Sequence, residues 1–333
     1  MRLDLPIHVG GPDGRHAAEF LAEAGVSGTY SFEGPEDVFI PLARAAGADI
    51  DLYSNIAVSF PRSPMHLAHT AWDLQRLSRG RFMLGLGSQV RPHIERRYGA
   101  EFDHPAARMA DQVDAVKAIF AAWQDDLELD HRGRFWQLDL LPPLFRPARL
   151  ASGPPPVLVA AVGPRMTQVA VRHADGILLH PFTSDPFVAE HSLPLIDEAR
   201  DGFIVVGGAI VALANESSDQ AASDDAARGL VAFYGSTRAY RPVLESVGHG
   251  DLQPELRTLT KQGRWAEMAA LVDDEVLSSI VIRGDASEVA EGLRRRYGDA
   301  ATRVAVTVPH GVDRAGVAAL AAAVTATAGR PPA

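Results

Sequence analysis

The sequence predicts a (β/α)8 barrel, and three observations lead to that prediction. Short apolar runs rich in Val, Ile and Leu alternate with amphipathic helical stretches along the chain. Such an alternation is typical of a parallel sheet covered by helices. Eight strand–helix pairs can be counted, and 333 residues are enough for a barrel of this kind. An open, doubly wound sheet is the alternative that the same alternation allows.

The pairs follow one another in chain order, and proline marks the start of two of the helices. Pro64 and Pro164 each stand where an apolar run gives way to a helical pattern, and proline is common in the first turn of a helix. The predicted pairs are Arg2–Val9 with Arg15–Ala24, Gly28–Phe32 with Asp37–Ala46, Asp51–Phe60 with Pro64–Leu77, Arg81–Gly87 with Pro105–Trp123, Val157–Val162 with Pro164–Ala174, Gly176–His180 with Pro186–Ala199, Phe203–Ala214 with helical material from Asp219, and Arg303–Val308 with Arg314–Ala328.

Two intervals are too long for a single connection, so we expect one barrel domain over residues 1–333 with two insertions. The insertion at about 125–156 reads as a hairpin of Leu127–Leu129 and Phe135–Leu138, followed by a proline-rich loop. The insertion at about 215–300 carries several helical patterns.

Composition excludes several classes of protein. The net charge of −10 argues against general nucleic-acid binding, which depends on neutralising phosphates. The absence of cysteine excludes disulfides, thiolate metal sites and cysteine nucleophiles. No apolar run reaches the roughly 18–20 residues that a membrane span needs, and the start of the chain shows no signal-peptide pattern. We therefore expect a cytoplasmic protein with a small-molecule ligand, without nucleic-acid or membrane partners.

In a barrel of this type, functional residues lie at the carboxyl ends of the strands. Gly85–Gln89 puts small residues at one such end, where backbone can approach a flat ligand closely; a tight turn is the other interpretation. Ala161–Met166 leads from a strand into a helix, whose exposed N–H groups favour phosphate; an ordinary turn is again possible.

Few titratable residues fall at these positions. Glu33 and His180 lie at predicted strand ends and His93 lies just past strand four, although a lone histidine is often structural. His8 and His16 lack the HxH spacing of barrel hydrolases that bind metal on the first strand, so we expect no metal site. The residues alone thus predict a barrel with a phosphate-bearing ligand.

The stretch Leu77–Gly87, which reads LSRGRFMLGLG, resembles the signature of the luciferase-like monooxygenase superfamily. Ser88–Gly99, His104–Met109 and Ala160–Met166 resemble its branch of coenzyme F420-dependent oxidoreductases. The resemblance implies an enzyme that moves a hydride between the deazaflavin F420 and a small organic substrate, and it implies a homodimer. An FMN-dependent monooxygenase served by a separate reductase, and a flavin-binding protein without catalysis, are the alternatives.

The same resemblance implies where the cofactor lies. The family often has a non-proline cis peptide at the end of strand three, which by position is Asn55–Ile56. Where a sugar-phosphate dehydrogenase relative has an Asp-His pair and a Glu, this chain has Phe32-Glu33 and Ser88-Gln89, so we do not expect a sugar phosphate. Glu33, with His93 and His180, is then the candidate for handling a proton. The implied cofactor-binding residues are Asn55, Ile56, Ala57, Gly87, Ser88, Gln89, Val162, Gly163, Pro164, Arg165, Met166, Phe182 and Thr183, and the cations available to an anionic tail are Arg165, Arg91, Arg96 and Arg97.

Overall fold

Eight parallel strands form a closed barrel in the computed structural model, which describes residues 1–11, 13–214 and 220–327. The seventh strand pairs with both the sixth and the eighth, and the eighth pairs with the first, so the sheet has no open edge. The (β/α)8 prediction is confirmed, and the open sheet is excluded. The strands are β1 (Arg2–Pro6), β2 (Gly28–Ser31), β3 (Asp51–Ser54), β4 (Phe82–Gly87), β5 (Val157–Ala161), β6 (Gly176–Leu179), β7 (Ile204–Leu213) and β8 (Arg303–Thr307).

Helices surround the barrel, and side chains cap several of them. Ser63 accepts the His66 N–H at the start of Pro64–Leu77, and Asp285 forms a capping box with Glu288. None of the helices in the described residues is both long and apolar enough to cross a bilayer. The helix Ala286–Tyr297, near the end of the second insertion, packs against the main core. The helices outside the insertions are Gly14–Glu23, Phe39–Ala45, Pro64–Leu77, Arg91–Arg96, Pro105–Gln124, Pro164–His173, Asp185–Phe187, Leu193–Ile196 and Arg314–Thr327.

The helix expected over Pro186–Ala199 is not continuous. A π-helical turn at Val188–Ser192 separates two short helical pieces, Asp185–Phe187 and Leu193–Ile196. Pro194 explains the interruption, because it has no N–H to donate to the carbonyl one turn earlier.

The first insertion contains a hairpin, but its strands are shorter than predicted. His131–Arg132 pairs with Gln137–Leu138, so the expected first strand at Leu127–Leu129 is wrong. Asp111 on the neighbouring helix explains the register. Its carboxylate contacts His131 Nε2 at 2.7 Å and accepts the backbone N–H groups of Phe135 and Trp136.

The second insertion builds a separate apolar core at the carboxyl end of the barrel. β7 continues beyond the barrel and pairs with Ile282–Gly284, a strand that the sequence did not suggest. Phe182, Ile210 and Val231 lie in this second core, which is distinct from the main core between barrel and helices. The helices that complete it are Gln220–Gly235, Arg241–Glu245, Leu252–Gln262, Trp265–Ala270 and Asp274–Ile280.

The barrel interior is closed at its amino end by a buried ion pair. Arg303 Nε and Nη2 donate to Asp4 at 2.6 and 2.9 Å, and the Tyr53 hydroxyl donates to the same carboxylate at 2.9 Å. Above this pair, side chains from the strands fill the interior, among them Tyr30, Tyr53, Met83, Leu158 and Leu178. A ligand can therefore enter only from the carboxyl ends, where the strand-end loops lie.

Candidate functional site

A bulge after β3 lies at the centre of the carboxyl rim. The Asn55–Ile56 peptide is cis, as the resemblance implied. The Asn55 N–H donates to the Ser31 carbonyl at 2.7 Å, and the Glu33 N–H donates to the Ile56 carbonyl at 3.3 Å. Beyond the bulge, Ala57–Val58 pairs with the end of β4. Backbone hydrogen bonds on both sides thus hold the bulge between β2 and β4.

Glu33 fixes this bulge with its side chain. Its carboxylate accepts the Val58 N–H at 2.7 Å, Arg62 Nη1 at 2.6 Å and the Tyr98 hydroxyl at 2.8 Å. The Glu33 side chain is only 7% exposed and that of Arg62 is 21% exposed. Burial, and then the Glu33 carboxylate that accepts its proton, raise the pKa of Tyr98. Because all these contacts lie within the protein, they favour a positioning role for Glu33.

The end of β4 packs closely against the bulge. A Cβ on Gly87 would lie 2.6 Å from Cδ1 and Cγ1 of Ile56, so a larger residue here would require Ile56 to shift. The next two residues are partly buried, and Gln89 has a positive φ of 54°. The Gln89 side chain accepts the Val90 N–H at 2.9 Å, which stabilises the turn. Gly87 therefore lies against the bulge, and Ser88 and Gln89 follow it at the end of β4.

The predicted phosphate loop, Ala161–Met166, begins at the end of β5 and forms one wall of a groove. Gly163 precedes the helix Pro164–His173 without a side-chain cap, and a Cβ on Gly163 would meet nothing within 4 Å. The groove has a volume of about 590 Å³. Its first wall contains Gly163, Pro164, Arg165 and Met166, and its second contains His104, Pro105, Ala106 and Ala107 at the start of the helix Pro105–Gln124.

His180 follows β6 and is partly buried. Its Nδ1 accepts the Phe182 N–H at 3.1 Å, and its Nε2 lies 3.1 Å from the Tyr240 hydroxyl. Burial lowers the pKa of His180 to about 4, so the ring is neutral at neutral pH. His180 is thus held in one orientation by a backbone donor and a tyrosine.

The remaining predicted residues differ in how much of their side chains is exposed. His93 is exposed on the short helix Arg91–Arg96, and no contact with the bulge is seen for it. Phe182 and Thr183 are almost completely buried, and Phe182 packs in the second core. Arg91 pairs with Glu95 at 2.7 Å and Arg96 is exposed, whereas Arg165 is exposed on the wall of the groove.

Four residues of the rim were not singled out from the sequence: Arg62, Tyr98, Tyr234 and Tyr240. Tyr98 stands inside the family-like stretch Ser88–Gly99 and Arg62 stands before these stretches, but nothing in their spacing indicates a contact with Glu33. Tyr234 and Tyr240 come from the second insertion, where the resemblance to the family is looser. Within the described residues, no group of three His, Asp or Glu side chains could hold a metal ion.

Comparisons with known proteins agree with this geometry. The family model for luciferase-like monooxygenase matches residues 15–304. An uncharacterized protein of Mycobacterium tuberculosis is 41% identical over 297 residues, which cover 86% of this chain and 87% of the relative. A second protein of that organism, named provisionally as a coenzyme F420-dependent oxidoreductase, is 26% identical over 326 residues, or 88% of this chain and 91% of the relative.

Among solved structures, the coenzyme F420-dependent tetrahydromethanopterin reductase of Methanopyrus kandleri superposes with a TM-score of 0.79. The alignment covers 98% of both chains at 17% sequence identity, so it supports the barrel fold. The family model spans most of the chain. The chain belongs to the luciferase-like monooxygenase family.

Proposed function

We propose that the protein is an F420-dependent oxidoreductase, which moves a hydride between the deazaflavin and a small organic substrate. The observation that carries this choice of cofactor is the groove between Gly163–Met166 and His104–Ala107. F420 and FMN share the arm that ends in a phosphate, but F420 continues into a lactyl-oligoglutamate tail with several negative charges. The groove offers space beyond the phosphate loop, with exposed Arg165 on its wall.

The residues present fit an anionic group at this place. The backbone N–H groups of Gly163 and Arg165 have no acceptor among the described residues, and Pro164 between them has no N–H. The groove also lies at the amino ends of two helices, Pro105–Gln124 and Pro164–His173. Their dipoles favour a negative charge there. These groups offset the repulsion that a chain of net charge −10 exerts on an anionic ligand.

The bulge and the β4 loop would hold the ring system of the cofactor. Asn55, Ile56 and Ala57 would support one face, and Gly87, Ser88 and Gln89 would border its edge. The deazaflavin, when bound, supplies an obligate hydride carrier that reacts poorly with oxygen. The protein would contribute orientation and exclusion of water, for which a rim fixed by Glu33 is suited.

The names of the relatives and of the family indicate different cofactor chemistry. The provisional name of the second mycobacterial relative indicates F420, but at 26% identity. The family description names a monooxygenase, which is the chemistry of the FMN alternative. Homodimer formation and cytoplasmic location stay predictions from the sequence.

Titrating the purified apo-protein with F420 and with FMN tests the proposal. We expect tighter binding of F420, and we expect Arg165→Ala to weaken F420 about three- to fivefold at low salt while FMN changes less. The loss should shrink at physiological ionic strength, where the screening length is about 8 Å. Arg172→Ala, an exposed arginine at the other end of the same helix, is the matched control. Tighter binding of FMN would contradict the choice of cofactor, and equal losses would place Arg165 on the shared phosphate.

A further inference from the structure

An aromatic cluster of His180, Phe182, Tyr234 and Tyr240 lies at the carboxyl end of β6. The His180 ring centroid lies 4.7 Å from that of Tyr234 and 4.4 Å from that of Tyr240. Both tyrosines come from the second insertion, at the end of Gln220–Gly235 and in the short 3-10 helix Arg238–Tyr240. The insertion therefore adds two hydroxyl groups to the rim beside a strand-end histidine.

The contacts of His180 determine which way its proton points. Since Nδ1 accepts the Phe182 N–H, this nitrogen carries a lone pair, and the proton of the neutral ring lies on Nε2. Nε2 then donates to the Tyr240 oxygen at 3.1 Å. The Tyr240 hydrogen must point elsewhere, and no acceptor for it is seen within residues 1–11, 13–214 and 220–327. Tyr240 is thus oriented as a donor.

Tyr234 brings a second hydroxyl to the same place. Its oxygen has no hydrogen-bond partner in the part of the chain that the structure describes, and it is not sealed from solvent. Tyr234, Tyr240 and Val162, which follows β5, all pack against the second core. The aromatic cluster accordingly lies on the same side of the barrel as the predicted phosphate loop, at the carboxyl ends of β5 and β6.

The charge state of the aromatic cluster limits what it binds. Burial raises the pKa of both Tyr234 and Tyr240, so both hydroxyls stay protonated, and His180 is neutral. Neutral donors suit an uncharged oxygen, and they provide no positive charge for a carboxylate or phosphate. The partly buried aromatic rings around them favour an apolar remainder.

We propose that Tyr240, oriented by His180 and assisted by Tyr234, donates its hydroxyl proton to the oxygen of a carbonyl substrate, so that the enzyme interconverts a ketone or aldehyde and an alcohol. The inference rests on the proposed function, which supplies the hydride. In the reducing direction, the carbonyl carbon gains a hydride from the reduced deazaflavin, which is oxidised. The oxygen takes the Tyr240 proton, and Tyr240 regains a proton from solvent. His180 is a positioning residue in this step, because its N–H stabilises the tyrosine oxygen.

The test uses the full chain with F420 bound. Reduced F420 is offered cyclohexanone, cyclopentanone and benzaldehyde, and oxidised F420 is offered cyclohexanol and benzyl alcohol, with the cofactor absorbance followed. We expect turnover of at least one probe by the wild-type protein. Tyr240→Phe should lower kcat by about 100-fold, the scale of a lost proton donor, with the Kd of F420 unchanged.

Variants at His180 separate positioning from packing. His180→Gln keeps an N–H that can reach Tyr240, whereas His180→Asn keeps only an acceptor for the Phe182 N–H. We expect the Gln variant to recover most of the kcat that the Asn variant loses. Tyr297→Phe is the matched control, since its hydroxyl bonds only the backbone of Gly208 and its kcat should stay at the wild-type value.

The outcomes distinguish a failure of the carbonyl assignment from a failure of the proposed F420 function. If the wild-type protein binds F420 but turns over none of the five probes, the carbonyl assignment is overturned and the proposed function stands. If it does not bind F420, both are overturned. An unchanged kcat in Tyr240→Phe, or equal losses in the two His180 variants, would overturn the roles assigned to Tyr240 and His180.

Discussion

Replacing Glu33 by glutamine or leucine separates a positioning role from a proton-handling role. The carboxylate accepts three hydrogen bonds, from Val58, Arg62 and Tyr98, and its side chain is 7% exposed. Glutamine keeps the shape and one acceptor oxygen, so the charge and one of the two acceptor atoms are lost. Leucine removes every acceptor and leaves the Val58 N–H and the Arg62 guanidinium without this partner.

The expected loss in the free energy of unfolding follows from these contacts. Removing one member of a buried ion pair costs about 3–5 kcal/mol. Arg62 is partly exposed, donates also to the Val58 carbonyl at 2.8 Å and has Asp37 at 3.8 Å, so it retains other partners. We therefore expect Glu33→Leu to lower the free energy of unfolding by about 3 kcal/mol and Glu33→Gln by about 1 kcal/mol.

Urea unfolding and F420 titration check this expectation. If Glu33 positions the bulge, the leucine variant should lose at least tenfold in F420 affinity, and the glutamine variant should stay close to wild type in affinity and turnover. A proton-handling role gives a different result, because Glu33→Gln would then lose about 10²- to 10⁴-fold in kcat with little change in stability. Wild-type stability and F420 affinity in Glu33→Leu would refute the positioning argument.

Two further predictions concern Gly87 and His180. Gly87→Ala should lower the free energy of unfolding by about 1–3 kcal/mol and weaken F420 in titrations, because the new Cβ would lie 2.6 Å from Ile56 Cδ1. Gly229→Ala, whose Cβ would meet nothing within 4 Å and which lies outside the proposed cofactor site, is the control, and equal effects would contradict the steric reason. Burial lowers the pKa of His180 from 6.5 to about 4, so the folded protein keeps the ring neutral. The titration of His180 therefore costs no stability above pH 6.5, and it increasingly favours the unfolded state as the pH drops from 6.5 toward 4. The difference in urea-measured stability between wild type and His180→Asn should therefore shrink by roughly 2–3 kcal/mol from pH 7 to pH 4, and a constant difference would refute the assignment.

The features that were predicted correctly depend on local pattern. The strands are short apolar runs followed by helical periodicity, which is visible within a window of a dozen residues. Asn55–Ile56 could be located because the strand before it and the LSRGRFMLGLG segment after it give its position in the family. The hairpin at Leu127–Leu129 was misplaced because Asp111, distant in sequence, determines its register.

The contacts of the site residues could not be predicted, because each joins distant parts of the chain. Glu33 meets Tyr98 across 65 positions, and His180 meets Tyr240 across 60. A tyrosine in the sequence of an insertion gives no sign of the hydroxyl's direction. The strand Ile282–Gly284 was missed for a related reason, since its three residues form a strand only by pairing with the extension of β7.

The rim divides into two parts that differ in how their polar groups are used. From β2 to β4, two polar side chains are occupied within the protein: Glu33 has three partners, and Ser54 both donates to and accepts from the Gly85 backbone at 2.9 Å. Such groups make a rigid support but have little capacity left for a ligand. At β6, the hydroxyls of Tyr234 and Tyr240 keep donor capacity. Since the supporting part comes from the barrel and the donating part from the second insertion, changes in that insertion should alter the substrate while leaving cofactor binding intact.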